Sequence, residues 1–353
     1  MGLIWNRCGL ALASGVLTGA MLLGTATSAA AWYRNPAETL AVLPVGASAP
    51  EGLTVGADGN VYVTTFGYDA AGEVAGLGRL YVLAPDGQLI RDVAIQGSTS
   101  HQLGIAFNPV TSELLAIDSG AGVVRRVDPQ NGAASVFMTA GAGALLNGLA
   151  FDQAGNTYVT DSANGIVWVV GPQGGAGQIW VQDPLLTTTG VPAFGANGIG
   201  FNHDFTAAFV ANTGNDTILR IPVANGQAGQ TAVFVNSVNG ADGLVLDGQD
   251  NLWVAANQAD EIVVIDPTGK AIGKLGDFRG VRAGVPLGLL FPASPAFSAD
   301  GQYIYVSNLA LDLRLVGAVQ SVVSQYAAQV RRYTVSRIST RLRPLPGGTR
   351  QGE

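Results

Sequence analysis

Four residues in this 353-residue chain combine a chemistry-bearing type with a regular placement. Glu51, Asn147, Asn197 and Asp242 each open the same short pattern, an oxygen-bearing side chain followed by Gly and an aliphatic residue. Two carboxylates and two amide oxygens make a hard donor set that a divalent cation neutralises, with water or substrate filling the remaining positions. With neither sulfur nor imidazole among them, Ca²⁺ fits best, Mg²⁺ or Mn²⁺ follow, and Zn²⁺ is least natural. Asn-Gly and Asp-Gly also favour hairpin turns. Here, however, the pairs open a strand after a loop, and the hairpin turns come later, at Gln153-Ala154-Gly155 and Gly248-Gln249-Asp250. From the residues alone, a metal site and a set of strand-start caps both stand.

Few other residues invite chemistry. Asp118, Asp161, Asn212, Asn257 and Asn308 end the second strand of their units, where Asp and Asn commonly bond neighbouring backbone, and they are assigned no reaction. His203 sits in a polar turn. His101, two residues before Leu103 in a Ser-Thr-Ser-His loop, reads first as a surface loop residue, yet it is the histidine placed to act as a base or substrate contact. No Gly-x-Ser-x-Gly elbow, phosphate-binding Lys loop or His-Glu-x-x-His helix is present.

The elements that must position these residues form a repeat. Copies begin at Glu51, Leu103, Asn147, Asn197, Asp242 and Ala293, at spacings of 52, 44, 50, 45 and 51 residues. Each copy has an apolar run, an Asp/Gly/Asn turn and a second run rich in β-branched and aromatic residues; a third strand and usually a shorter fourth follow. The third strand of the last unit is expected at Gln329 to Val335. Four antiparallel strands in about 48 residues, six times over, predict an all-β, six-bladed β-propeller. The run Thr39 to Leu43 is placed to pair with the last blade and close the ring. Phe66 to Gly76 is an insertion in blade one. From Leu313 to about Ser324 the apolar residues recur at helical spacing, predicting a short amphipathic helix inserted in the last blade. Packing on the propeller is its simplest role; a lid or docking surface is the alternative.

Composition sets the wider limits. The chain has 49 Gly and 16 Pro with only 12% charged residues, which excludes a disordered chain. Residues 32 to 312 carry ten Lys or Arg against 24 Asp or Glu, an acidic body that repels phosphate backbones, so no nucleic-acid partner is expected. Arg7, the apolar Leu10 to Leu23 stretch and Ala29-Ala30-Ala31 read as a secretory signal over residues 1–31, with Cys8, the single cysteine, inside it. The expected organisation is a signal over 1–31, a propeller over 32–338 and a basic tail over 339–353. The product is exported, periplasmic or extracellular, with no membrane span after signal removal. A protein partner through the blade-six helix and basic tail is a further expectation.

The set Pro50-Glu51-Gly52-Leu53, Asn147-Gly148-Leu149-Ala150-Phe151-Asp152, Asn197-Gly198-Ile199 and Ala241-Asp242-Gly243-Leu244 resembles the senescence-marker-protein, gluconolactonase and luciferin-regenerating-enzyme family over about residues 38 to 338. The resemblance implies a divalent metal held by Glu51, Asn147, Asn197 and Asp242, and hydrolysis of sugar lactones or related esters. In that reading Asp242 ligates the metal and helps to deprotonate the attacking water. Sugar-lactone members place an Arg two residues before the third-blade Asn; here that position is Leu145, which points to a less polar lactone or ester. Val245 after Asp242-Gly243-Leu244, with only His101 nearby, leaves no sign of the second calcium or histidine pair of paraoxonase-like propellers. The leading expectation is an exported metal-dependent hydrolase of a small lactone or ester. The rival is a non-catalytic, metal-stabilised propeller that binds a ligand or protein. A strictosidine-synthase-like condensing enzyme is a third reading, disfavoured because those relatives do not depend on such a ligand set.

Overall fold

The structure is a computed structural model that describes residues 34–317 and 322–342. The expected signal and most of the basic tail lie outside the described residues. Six sheets of at least four strands follow one another along the chain, antiparallel apart from one short parallel pairing of Ala134–Thr139 with Gly175–Ala176. Blade one, for example, runs Pro50–Val55, Val61–Thr65, Arg79–Leu83 and Leu89–Ala94 from the axis outward. The six innermost strands pack side by side in chain order, and Pro292–Phe297 of blade six returns to contact Pro50–Val55, which closes the ring. The strand Glu38–Val42 supplies the outer strand of blade six by pairing with Thr334–Ser339, so the two ends of the ring are joined within one sheet.

Burial follows from this stacking. Second strands such as Val61–Thr65, Leu114–Asp118, Thr157–Asp161 and Leu252–Ala256 are buried at every residue, because each is covered by neighbouring blades on both faces. That is why they read as nearly continuous apolar runs rather than alternating ones. Outer strands such as Leu89–Ala94 are largely exposed.

The innermost strands share one irregularity. Each loses register with its second strand at the same place: between Pro50 and Leu53, Gln102 and Ile105, Leu146 and Leu149, Ala196 and Ile199, Ala241 and Leu244, and Pro292 and Pro295. Three residues on the inner strand span two on its partner, a β-bulge. The bulged pairs are Glu51-Gly52, Leu103-Gly104, Asn147-Gly148, Asn197-Gly198, Asp242-Gly243 and Ala293-Ser294. Glycine is needed for close approach: a Cβ on Gly148 would stand 2.5 Å from the Asn197 carbonyl oxygen, and one on Gly198 would stand 2.5 Å from that of Asp242. Hydroxyls opposite the bulge bind the same ring of carbonyls. Thr64 donates to Leu103 O at 2.7 Å, Thr160 to Asn197 O at 2.6 Å and Ser307 to Glu51 O at 2.6 Å.

The last blade departs from expectation in detail. The third strand is Thr334–Ser339, later than the expected Gln329 to Val335, and ends one residue beyond the anticipated boundary at 338. In place of one helix from Leu313, the described residues form a 3-10 turn, Leu313–Val316, and a separate helix, Val322–Ala327. Asp312 caps the turn by accepting from Arg314 N, and Gly317 ends it at φ +76°, the left-handed terminator that the apolar periodicity ignored. The Phe66 to Gly76 insertion contains a small hairpin, Tyr68–Asp69 with Gly72–Glu73. A second hairpin, Phe278–Arg282 with Val285–Gly288, was not foreseen; Phe278 meets Tyr326 of the short helix edge-on at 4.8 Å.

Candidate functional site

The bulge begins at the second residue of each inner strand and turns that side chain towards the axis. Glu51, Asn147, Asn197 and Asp242 all line one small pocket of ≈ 30 Å³. Glu51, Asn147 and Asn197 also line the central channel of ≈ 340 Å³ that runs along the later residues of the same strands. The oxygen-bearing residues thus form a floor between the two spaces. All four are buried, at 5%, 4%, 6% and 3% exposure respectively.

The buried oxygens are incompletely paired. Glu51 Oε2, Asn147 Oδ1 and Asp242 Oδ1 have no hydrogen-bond partner. Burial pushes the Glu51 carboxyl well above the usual range, and the neighbouring Asp242 adds to the rise. Burial likewise raises Asp242 to about 7, against the opposing pull of Asn257 and Asn197. Burial thus disfavours the charged form of both acids, and no Lys, Arg or His lines the pocket to offset it. This donor chemistry, with oxygen atoms unpaired on three blades, fits a hard divalent cation. Among the described residues no group of three His, Cys, Asp or Glu could hold a metal; a site here depends on the amides.

A second tier orients the ring. The residue just after the second strand is Ser162 in blade three, Thr213 in blade four and Asn257 in blade five. Asn147 Nδ2 donates to Ser162 Oγ at 3.2 Å, Asn197 Nδ2 donates to Thr213 Oγ1 at 2.9 Å, and Asn257 Nδ2 donates to Asp242 Oδ2 at 3.0 Å. With the amide nitrogen of each held by a hydroxyl, the amide oxygens of Asn147 and Asn197 are left for the axis. Ser162 and Thr213 are fixed in turn by donating to Ala196 O and Ala241 O, both at 2.7 Å.

This tier was missed in the sequence. Asn257 had been grouped with Asp118, Asp161, Asn212 and Asn308, but Ala241 pairs with Ala256, so Asn257 stands one residue later in register. The remaining members of that group do bond local backbone: Asp118 accepts from Thr99 N, Asp161 from Leu145 N, Asn212 donates to Leu185 O and Thr187 O, and Asn308 accepts from Leu290 N. The signal available was a polar residue fifteen or sixteen positions after each ring ligand, present in blades three to five.

Above the ring the pocket is apolar. Phe66 and Leu309 occupy the orienting position in blades one and six and line the pocket with Leu103, Pro192, Phe194, Phe291, Leu311 and Leu313. Phe291 adopts φ +47°, unusual for a bulky residue. Its N–H donates to Asp260 Oδ1 at 2.7 Å and its carbonyl accepts from Leu309 N at 3.1 Å, which holds the ring in place. His101 is not among the lining residues. It lies behind Phe66, with ring centroids 5.5 Å apart, stacks on Tyr68, and places Nε2 3.2 Å from Glu73 Oε1. His203 is on a turn whose backbone N–H binds Asp250 at 2.7 Å.

Comparison with known proteins gives a consistent picture. The family described as SMP-30/Gluconolactonase/LRE-like region matches residues 12–196 and 187–276. Among solved structures, a calcium-binding protein, regucalcin, from Agrobacterium tumefaciens is similar at 16% identity and a TM-score of 0.61, covering 88% of this chain and 97% of that one. A putative gluconolactonase is similar at 18% identity and a TM-score of 0.60, covering 87% and 92%. A gluconolactonase from Xanthomonas campestris is similar at 15% identity and a TM-score of 0.59, covering 88% and 99%. At these identities the likeness carries the fold. No curated protein matches the chain.

Proposed function

The chain belongs to the SMP-30/gluconolactonase/LRE-like family, and from that premise we propose that it is an exported, divalent-metal-dependent hydrolase of a small lactone or ester. The observation that carries this reading is the set of three buried, unpaired oxygens on Glu51, Asn147 and Asp242 around one pocket. Glu51, Asn147, Asn197 and Asp242 would hold the cation, with Ca²⁺ the best match to an all-oxygen set. When bound, the cation supplies Lewis-acid polarisation of the substrate carbonyl.

The protein's own groups do the rest. Ser162 and Thr213 keep the amide oxygens turned inward, and Asn257 fixes the orientation of Asp242 through Oδ2. That leaves Asp242 Oδ1 towards the pocket, as ligand and as acceptor of a proton from the attacking water. The apolar wall limits bulk water around the reacting carbonyl. Export is supported by the Arg7, Leu10 to Leu23 and Ala29 to Ala31 pattern; among the described residues no helix is long and apolar enough to cross a membrane.

The test is a panel of lactones and aryl esters with and without a chelator. The expected result is hydrolysis that chelation abolishes and Ca²⁺ restores; chelator-insensitive hydrolysis would overturn the mechanism. The second reading is a non-catalytic, metal-stabilised binding propeller. The small volume of the pocket, ≈ 30 Å³, favours it. Bound metal with no turnover across the panel would select it.

A further inference from the structure

The pocket above the oxygen ring is unusual in how little it offers to a polar substrate. Apart from the four ring residues, its polar lining consists of Thr213 and Asn257. Thr213 Oγ1 donates to Ala241 O and accepts from Asn197, and Asn257 Nδ2 donates to Asp242, which leaves Asn257 Oδ1 as the acceptor without a partner. No Arg, Lys or His is among the lining residues. The wall is built instead from Phe66, Phe194, Phe291, Leu309, Leu311 and Leu313, contributed by four separate stretches of chain.

Beyond the oxygen ring, a polyhydroxylated ring entering this space would find one free acceptor, Asn257 Oδ1, and no charged side chain, so most of its hydroxyls would lose water without replacement, at a cost for each buried group. An alkyl or aryl substituent gains from the same wall. We infer that the site selects lactones or esters whose reacting carbonyl carries an apolar substituent, and that it discriminates against sugar lactones. This rests on the hydrolase reading and specifies its substrate class. The reaction is ordinary hydrolysis. Water adds to the carbonyl carbon, the carbon–oxygen bond to the leaving oxygen breaks, and that oxygen takes up the water's proton to give an acid and an alcohol.

One wall residue is placed to set the size limit. The pocket volume of ≈ 30 Å³ leaves room for about two waters, so a longer substituent must displace part of the wall. Leu309, Leu311 and Leu313 are at most 5% exposed and belong to the core of blade six. Phe194 is only half-buried and lies between the third and fourth blades. Its N–H bonds back to Pro192 O at 2.8 Å and its carbonyl accepts from Gly214 at 2.9 Å. Its side chain packs against the edge of that core and is less buried than the leucines, so it is the wall residue most open to replacement.

The experiment uses the full-length mature protein with Ca²⁺. It measures kcat/KM for γ-lactones of increasing alkyl chain, with gluconolactone as the polar reference. In parallel, binding of 2-alkylcyclopentanones, which cannot be hydrolysed, is followed by thermal shift. The expected result is kcat/KM rising about fourfold per added methylene over the first few carbons, with the ketones following the same order. Phe194→Ala should move the optimum to longer chains, and Phe194→Asn should flatten the dependence. Turnover independent of chain length, or best on gluconolactone, would overturn the substrate class while leaving the hydrolase reading intact. Chain-dependent ketone binding with no turnover of any lactone would support the apolar pocket and sink the hydrolase reading. Folded Phe194 variants with an unchanged chain-length profile would overturn the role given to Phe194.

Discussion

The two ends of the same inner strands use carboxylates in opposite ways. At the far end, where the first strand turns into the second, Asp58 accepts from Tyr62 Oη at 2.8 Å and from Asn60 Nδ2 at 2.7 Å, and Asp247 accepts from Trp253 Nε1 at 3.0 Å and Asn251 Nδ2 at 2.9 Å. Partial burial works against both, but these hydrogen bonds more than offset it and hold both acids below the ordinary carboxylate range. At the near end, Glu51 and Asp242 are buried deeper, keep an unpaired oxygen each, and are raised. An acid whose partners arrive with the turn is structural. An acid delivered to the axis by a bulge, without a partner of its own, needs something from outside the chain.

The contrast is most exposed to failure through a matched pair of substitutions. Asp242→Ala should abolish bound metal and lower hydrolysis by roughly 10³-fold, the order expected when several kcal/mol of charge stabilisation are lost. Asp247→Ala should leave metal content unchanged and cost only about 1–3 kcal/mol of stability, read by denaturant unfolding. Equal loss of metal in both variants would erase the distinction between the two ends.

The orienting tier sharpens the same comparison. Asn257→Ala removes the hydrogen bond to Asp242 Oδ2 without removing a ligand, and should weaken metal binding by about 10- to 100-fold in calorimetric titration. Asn257→Asp, which cannot donate when ionised, should not rescue it.

Glycines differ between the ends as well. A methyl at Gly148 would stand 2.5 Å from Asn197 O and 3.1 Å from the Gly198 Cα, whereas one at Gly301, in the blade-six turn at φ +67°, would meet nothing within 4 Å. Gly148→Ala should cost about 3 kcal/mol and disturb the metal site. Gly301→Ala should cost about 1 kcal/mol from its backbone conformation alone. Thermal unfolding of the two variants, with metal titration of each, separates the effects.

The smallest effect is on pH dependence. Glu51 and Asp242 are raised in the metal-free chain, so their contribution to stability is present below the ordinary carboxylate pKa and is lost as pH rises through about 7 for Asp242. Asp58 and Asp247 are lowered, and act in the opposite direction: their contribution is present above the ordinary value and lost as acid protonates them. Protons and cation compete for the ring. The rise in Tm on adding Ca²⁺ to chelated protein should therefore be larger at about pH 8 than at about pH 5. A pH-independent rise would place the cation away from these acids.

The repeat made most of the architecture legible, because each blade must re-create the same turn and the same buried second strand. The ring residues were visible as oxygen-bearing side chains before glycine, although the reason for that pairing, a bulge recurring in every blade, only register reveals. Asn257 escaped because blade five carries Ala256 at the strand-end position that Asp161 holds in blade three, so its first polar residue there is already the orienting one. The helix from Leu313 was misjudged because apolar periodicity continues across Gly317, while the backbone there turns left-handed. The apolar wall was beyond reach for another reason: Phe66, Phe194, Phe291 and Leu311 come from connections of unrelated length, and only folding brings them over one axis.

Metal content tests the oxygen ring most directly. Elemental analysis of the purified mature protein, beside Asp242→Ala purified the same way, should find one divalent ion per wild-type chain and almost none in the variant. No metal in the wild type after incubation with Ca²⁺, or equal metal in both proteins, would contradict it.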